Sequence, residues 1–179
     1  MARAKVATKY VEAFVTSAGA VSAVYERKTH EILSKHGVEN VEDADWVDIG
    51  AFTDALAEVE SEVGEMTLTE GGREMAARND VPDHVDTIAG ALKNLDESHQ
   101  LAHKDGSQSD WGSYAVEKVD ATQYRMSCSP DYPYPYPLAK GVFEGLAQEF
   151  SDGDVSLTTH EIDDADLRSD EGFAVDISW

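Results

Sequence analysis

The stretch from Tyr124 to Phe150 constrains this chain more than any other. It reads as a strand, Tyr124-Arg125-Met126-Ser127-Cys128, then a loop, then a helix from about Leu138. The loop Ser129-Pro130-Asp131-Tyr132-Pro133-Tyr134-Pro135-Tyr136-Pro137 holds four of the protein's five prolines. Each proline fixes its own φ and turns the preceding residue away from helical geometry. The loop is therefore held extended, near polyproline II. Three tyrosines alternate with the prolines and form a stiff ledge of rings. Pro137 suits a first helical turn, where its missing N–H would be unpaired anyway. Val142, Phe143, Leu146 and Phe150 give the helix a buried stripe. Gly141 and Gly145, at i and i+4, permit close approach of another backbone.

Upstream of this stretch the pattern is helical. Val6, Tyr10, Phe14 and Ala18, then Val21, Val24, Tyr25, Lys28 and Ile32, recur at helical spacing from Arg3 to His36, with Gly19 as a possible break. Gly37 suits a C-terminal cap. Asp43 or Asp45 is expected to cap a second element with the stripe Trp46, Ile49, Phe52, Leu56, Val59 and Val63, ended by Gly64. Met66 to Ala77 is ambiguous, because Gly71-Gly72 interrupts any period. Asp80-Val81-Pro82 opens a third helix with Val85, Ile88, Leu92 and Leu95 on one face. After a polar loop at Asp105–Asp110, strand-like runs follow at Trp111–Val119, Thr122–Cys128, Val155–Ile162 and Gly172–Trp179. In the last, Phe173, Val175, Ile177 and Trp179 alternate with Ala174, Asp176 and Ser178 and are expected on one buried face. Helices first, then strand–strand–helix–strand–strand, argue an α+β fold. N-terminal helices (to about residue 104) pack on a C-terminal antiparallel sheet of about four strands with an inserted helix (from about residue 111). The 179 residues fit one domain with a real core.

Charge narrows the function classes. Asp and Glu number 36 against 14 Lys and Arg, a net charge of -22 spread along the chain. Such a surface opposes nucleic-acid binding, which needs a basic face. It suggests a halophile's salt-rich cytoplasm, where screening removes most of the repulsion. The single cysteine, Cys128, fits a reducing compartment. No apolar run approaches the roughly 18–20 residues of a membrane span, and the N-terminal residues show no cleavable-signal pattern. A cytoplasmic location is expected. Self-association as a two-fold dimer is expected too, through the stripe Val6, Tyr10, Phe14, Val21 and Val24.

The C-terminal part, roughly Gly112 to Trp179, resembles the ligand-binding fold of heme-nitric-oxide-binding, four-vinyl-reductase-like and Bet3-type domains. The strand Tyr124–Cys128, the Pro-rich loop, Leu138-Ala139-Lys140-Gly141-Val142-Phe143-Glu144-Gly145-Leu146 and the closing Gly172–Trp179 carry the resemblance. It implies a helical half packed on a sheet, with a buried pocket between them for a small hydrophobic or haem-like ligand. Haem-binding members hold the propionates with a Tyr-x-Ser-x-Arg string. Here Tyr124, Arg125 and Ser127 stand in a different order, which speaks against haem and carries over only the pocket's location.

Two residue groups remain as candidate sites. His99 and His103, at i and i+4, share a helix face and have the spacing of two ligands on one zinc or iron, with Asp96 or Cys128 as a third; the alternative is the edge of a core face. Tyr132, Tyr134 and Tyr136 are candidates to stack on a planar ligand or to cap the core. Arg125, beside Tyr124 on the strand, is a candidate to pair with a carboxylate of a ligand or of the protein itself. Tyr124, Arg125, Tyr132, Tyr134 and Tyr136 are thus the expected ligand-binding residues. A non-enzymatic small-molecule-binding or sensor-like domain is the leading expectation. A metal-dependent enzyme using His99 and His103, or a pure interaction module, are the alternatives.

Overall fold

The computed structural model describes residues 3–38, 45–151 and 156–179. Its elements run β1 (Lys5–Ala7), α1 (Thr8–Val21), α2 (Ala23–Lys35), β2 (Trp46–Asp48), α3 (Ile49–Glu62), α4 (Glu65–Ala76), α5 (Ile88–Leu101), β3 (His103–Lys104), α6 (Gln108–Trp111), β4 (Tyr114–Lys118), β5 (Gln123–Cys128), α7 (Tyr136–Glu149), β6 (Thr158–Glu161) and β7 (Phe173–Ser178). The fold is α+β, with helices preceding a four-stranded antiparallel sheet of order β4-β5-β7-β6. Among the described residues no helix is long and apolar enough to cross a membrane.

Local chemistry sets the helix boundaries. The break between α1 and α2 falls at Ser22, not Gly19; Ser22 is extended and its side chain accepts from the Val24 N–H. Asp48 caps α3 in the same way, accepting from Ala51 N at 2.9 Å. Asp43 lies outside the described residues. Thr87, rather than Asp80, caps α5. Gly37 and Gly64 take positive φ at helix ends, where a side chain would be strained.

The N-terminal half holds a second sheet, of order β2-β1-β3, that helical periodicity conceals. Val6 pairs with Val47 on one side and His103 on the other. The ambiguous Met66–Ala77 region is α4. Gly72 faces the backbone of Leu138 and Val142, and Gly141 faces that of Thr69. The two helices cross with backbones nearly touching, which any Cβ at these positions would prevent.

Two apolar clusters form the interior. One joins α1–α4 to the small sheet through Val6, Phe14, Phe52, Leu56 and Leu68. The other lies between α5, α7 and the inner face of the large sheet, around Leu92, Met126, Phe143, Val175 and Ile177. Register puts Met126 opposite Val175 and Tyr124 opposite Ile177. Val175 and Ile177 are fully buried, while Phe173 and Trp179 are half-buried. Trp179 stacks on Tyr124 with ring centroids 5.4 Å apart.

The α1 stripe is not a free face. Val6, Tyr10 and Phe14 are buried in the protein's own core. Phe14 meets Phe52 of α3 edge-on at 5.9 Å and lies against Gly71 of α4. These three side chains are thus covered by neighbouring helices, whereas Val24 of the same stripe is exposed and Val21 is half-buried.

Candidate functional site

The two clusters meet at a cavity of about 40 Å³. Val6, Met75, Leu95, Ala102, Leu138 and Val142 form its apolar wall. Tyr10, Asn79, His99, His103, Tyr114, Tyr132 and Tyr134 supply its rings and polar atoms. Every major part of the fold contributes: β1 and α1, the end of α4, the α5–β3 junction, β4, the Pro/Tyr loop and α7. The stiff loop drives Tyr132 and Tyr134 inward between the halves, while Pro137 starts α7 directly below them.

Hydrogen bonds fix the protonation of both histidines. His103 Nδ1 lies 2.6 Å from the His99 carbonyl oxygen, which only accepts, so Nδ1 carries the proton. Its Nε2 therefore accepts from the Tyr134 hydroxyl at 2.6 Å. His99 Nε2 donates to the Trp111 carbonyl at 2.9 Å, leaving the His99 lone pair on Nδ1. Burial holds the His99 pKa down at about 4. Burial, and then the neighbouring His99, holds His103 at about 3. Both rings are neutral, as desolvation of a cation requires.

The surrounding rings form a cage. The His103 ring stacks on Trp111 at 5.3 Å. His99 sits 4.7 Å from Tyr114 and 5.7 Å from Tyr132, centroid to centroid. The Tyr114 and Tyr132 hydroxyls are 2.5 Å apart. Burial raises the pKa of Tyr114, Tyr132 and Tyr134 well above the ordinary phenol value. The Cys128 thiol is raised by burial too, so it is no thiolate nucleophile. Among the described residues no lysine or arginine lines the cavity.

One polar atom in this wall has nothing to bond. The Asn79 Nδ2 amide is buried without a hydrogen-bond partner among the described residues. A buried donor left unpaired costs about 1–3 kcal/mol. Asn79 follows α4 directly, and no local sequence pattern marks it.

The expected site residues separate in space. His99, His103, Tyr132 and Tyr134 converge on the cavity. Tyr124 lies on the inner sheet face under Trp179, with the Lys93 ammonium 5.7 Å from its ring centroid. Arg125 points to the opposite face and binds Glu171 through two hydrogen bonds of 2.9 and 2.6 Å. Tyr136 packs edge-on against Phe173 at 5.1 Å. Asp96 accepts from the Tyr114 N–H at 2.7 Å. Among the described residues no group of three or more His, Cys, Asp or Glu side chains is arranged to hold a metal ion. Asn79 and Tyr114 were not singled out in the sequence, and Tyr10 only as part of the α1 stripe. Tyr114 had a signal, as an aromatic residue within a strand-like run.

No protein-family model matches the sequence, and no curated protein matches it. Solved structures do. The chain is similar to a Cs H-NOX variant carrying 4-cyano-L-phenylalanine, at 18% identity and a TM-score of 0.66, over 96% of this chain and 95% of that one. It is similar to a T. Tengcongensis H-NOX variant at 18% identity and a TM-score of 0.60, over 92% and 94%. A third is an oxygen-binding H-NOX domain related to soluble guanylate cyclases, solved as its oxygen complex, at 15% identity and a TM-score of 0.61, over 94% and 92%. At such identities the likeness shows the fold: this chain has the H-NOX ligand-binding fold along almost its whole described length.

Proposed function

We propose that the protein is a non-enzymatic, sensor-like domain that binds a small molecule in the cavity between its two halves. The carrying observation is the unpaired Asn79 amide donor in the wall of an aromatic-lined cavity. A protein that keeps an uncompensated buried donor loses stability unless something else supplies an acceptor. The solved H-NOX domain with oxygen bound supports the reading, since a chain of the same fold carries a small ligand. Tyr132, Tyr134, His99 and His103 are the proposed ligand-facing residues of the original candidates. Tyr10, Asn79 and Tyr114 join them.

The location also suits a sensor. The cavity wall spans both core clusters, so filling it changes contacts on both sides of the seam at once. A ligand shifts the equilibrium between two arrangements only by its differential affinity for them. A cavity built from both halves is where such a difference arises.

Asn79→Leu tests the reading. The variant removes the unpaired donor and keeps the side chain's approximate volume. It is expected to be as stable as the parent or more so, by up to about 1–3 kcal/mol. It is also expected to lose binding of acetone, a small neutral acceptor, followed by methyl shifts of Leu138 and Val142. Acetone shifts of equal size in both proteins, or in neither, would sink the proposal.

A further inference from the structure

The fold's solved relatives include work on haem distortion and haem redox potential, so a porphyrin is the obvious guest to test against this cavity. The residues present do not fit it. We infer that the pocket is a haem-free site whose ligand is a neutral molecule of a few heavy atoms bearing one hydrogen-bond acceptor; this rests on the ligand-binding reading above.

Three independent observations carry the inference. The first is room. The cavity measures about 40 Å³. An enclosed cavity of about 150 Å³ is what benzene occupies, and a single water needs roughly 10–15 Å³. A porphyrin has four pyrrole rings around its metal. The intervening volume is filled by this chain's own Tyr114, Tyr132, Tyr134 and Trp111, which pack on each other and on the two histidines.

The second is charge. Haem brings two carboxylates, and an anion buried without a cation is strongly disfavoured. Among the described residues no lysine or arginine lines the cavity. Arg125 and Lys140, the cations flanking the loop, pair with Glu171 and Glu144. The same absence bars any anionic ligand. Among the described residues no carboxylate lines the cavity to compensate a buried cation.

The third is the imidazoles. A metal needs a lone pair. Both nitrogens of His103 are already used, one donating to the His99 carbonyl and one accepting from Tyr134. His99 keeps its Nδ1 lone pair, but the ring is anchored through Nε2 to the Trp111 carbonyl and closed in by Tyr114 and Tyr132. What the cavity offers is one N–H donor, Asn79 Nδ2, in an apolar and aromatic wall. That donor set selects a small neutral acceptor.

Haemin titration of the purified full-length chain in molar KCl decides the matter. The expected result is no Soret band beyond that of free haemin and no saturable complex. A stoichiometric complex with a shifted Soret band would overturn the haem-free inference while leaving a ligand-binding pocket in place. Two variants test charge and volume separately. Tyr132→Ala/Tyr134→Ala, if folded by circular dichroism, removes two of the rings but adds no cation and is expected to stay haem-free; haemin uptake by it would overturn the argument from charge. Tyr134→Phe keeps the ring but frees His103 Nε2, and is expected to stay haem-free. Haemin uptake by Tyr134→Phe would overturn the argument from volume. Failure of acetone to bind the parent chain counts instead against the ligand-binding reading itself.

Discussion

Folding stability is expected to fall by about 4 kcal/mol between pH 7 and pH 5 in molar KCl, with most of the loss assigned to two residues. His99 and His103 are buried, and their pKa values are pushed down to about 4 and about 3. In the unfolded chain both return to about 6.5. Below pH 6.5 the unfolded state therefore binds protons that the folded state refuses, and stability declines as pH falls. At pH 5 each histidine has lost about 2 kcal/mol, since one pKa unit is 1.36 kcal/mol. The groups facing them do not offset this. Tyr114, Tyr132, Tyr134 and Cys128 are all held protonated by burial, and the carboxylate of Asp96 is engaged with the Tyr114 N–H. Below about pH 5 the many surface carboxylates begin to protonate. That relieves the repulsion of a -22 chain and works in the opposite direction. The window from pH 7 to pH 5 isolates the histidines. Urea melts across it, with His99→Gln and His103→Gln each removing about half the slope, check the assignment. A flat profile in the parent would mean that these rings are hydrated.

The same two histidines show what can be read without a structure. Their i, i+4 spacing put them on one helix face, and the Pro/Tyr loop announced a ledge of rings beside a helix start. Strict alternation from Phe173 to Trp179 and along Tyr124, Met126 and Cys128 fixed the inner sheet face. Patterns of this kind are local, set by φ restriction and by side-chain period. What escaped was tertiary in origin. Val6 fits a helical stripe yet lies in a three-residue strand, because its partners Val47 and His103 come from distant segments. The α1 stripe gave no sign that its Phe14 packs under α3 and α4, because those partners are distant in sequence. Tyr124 and Arg125 are neighbours on β5 and so face opposite ways, which takes both out of the cavity. Asn79 carried no signal, because an unpaired donor exists only once the rest of the chain has closed around it.

The closest crossing in the fold should be the least tolerant of change. Gly141→Val is expected to cost about 3 kcal/mol, the upper end for overpacking, and Gly72→Ala nearly as much. Gly141 and Gly145 were recognisable as an i, i+4 pair, whereas Gly71-Gly72 had looked only like a helix breaker. In the structure Gly72, Gly141 and Gly145 lie at the α4–α7 crossing, while Gly71 faces Phe14. A Cβ at Gly72 would strike the Leu138 carbonyl oxygen, and one at Gly141 would strike that of Thr69. The obstacles are backbone atoms of packed helices, so no rotamer change relieves them. The helices must part, and the effect then reaches the cavity. Leu138 and Val142 form its α7 wall, while Met75 and Asn79 form its α4 side. Gly50→Ala is the control, since a Cβ there meets only the Asp48 side chain, at 3.2 Å. Denaturant melts and acetone-induced methyl shifts should therefore move together in the two crossing variants and stay near the parent values in Gly50→Ala. Crossing variants that melt like the parent would show that α4 and α7 do not touch at these glycines.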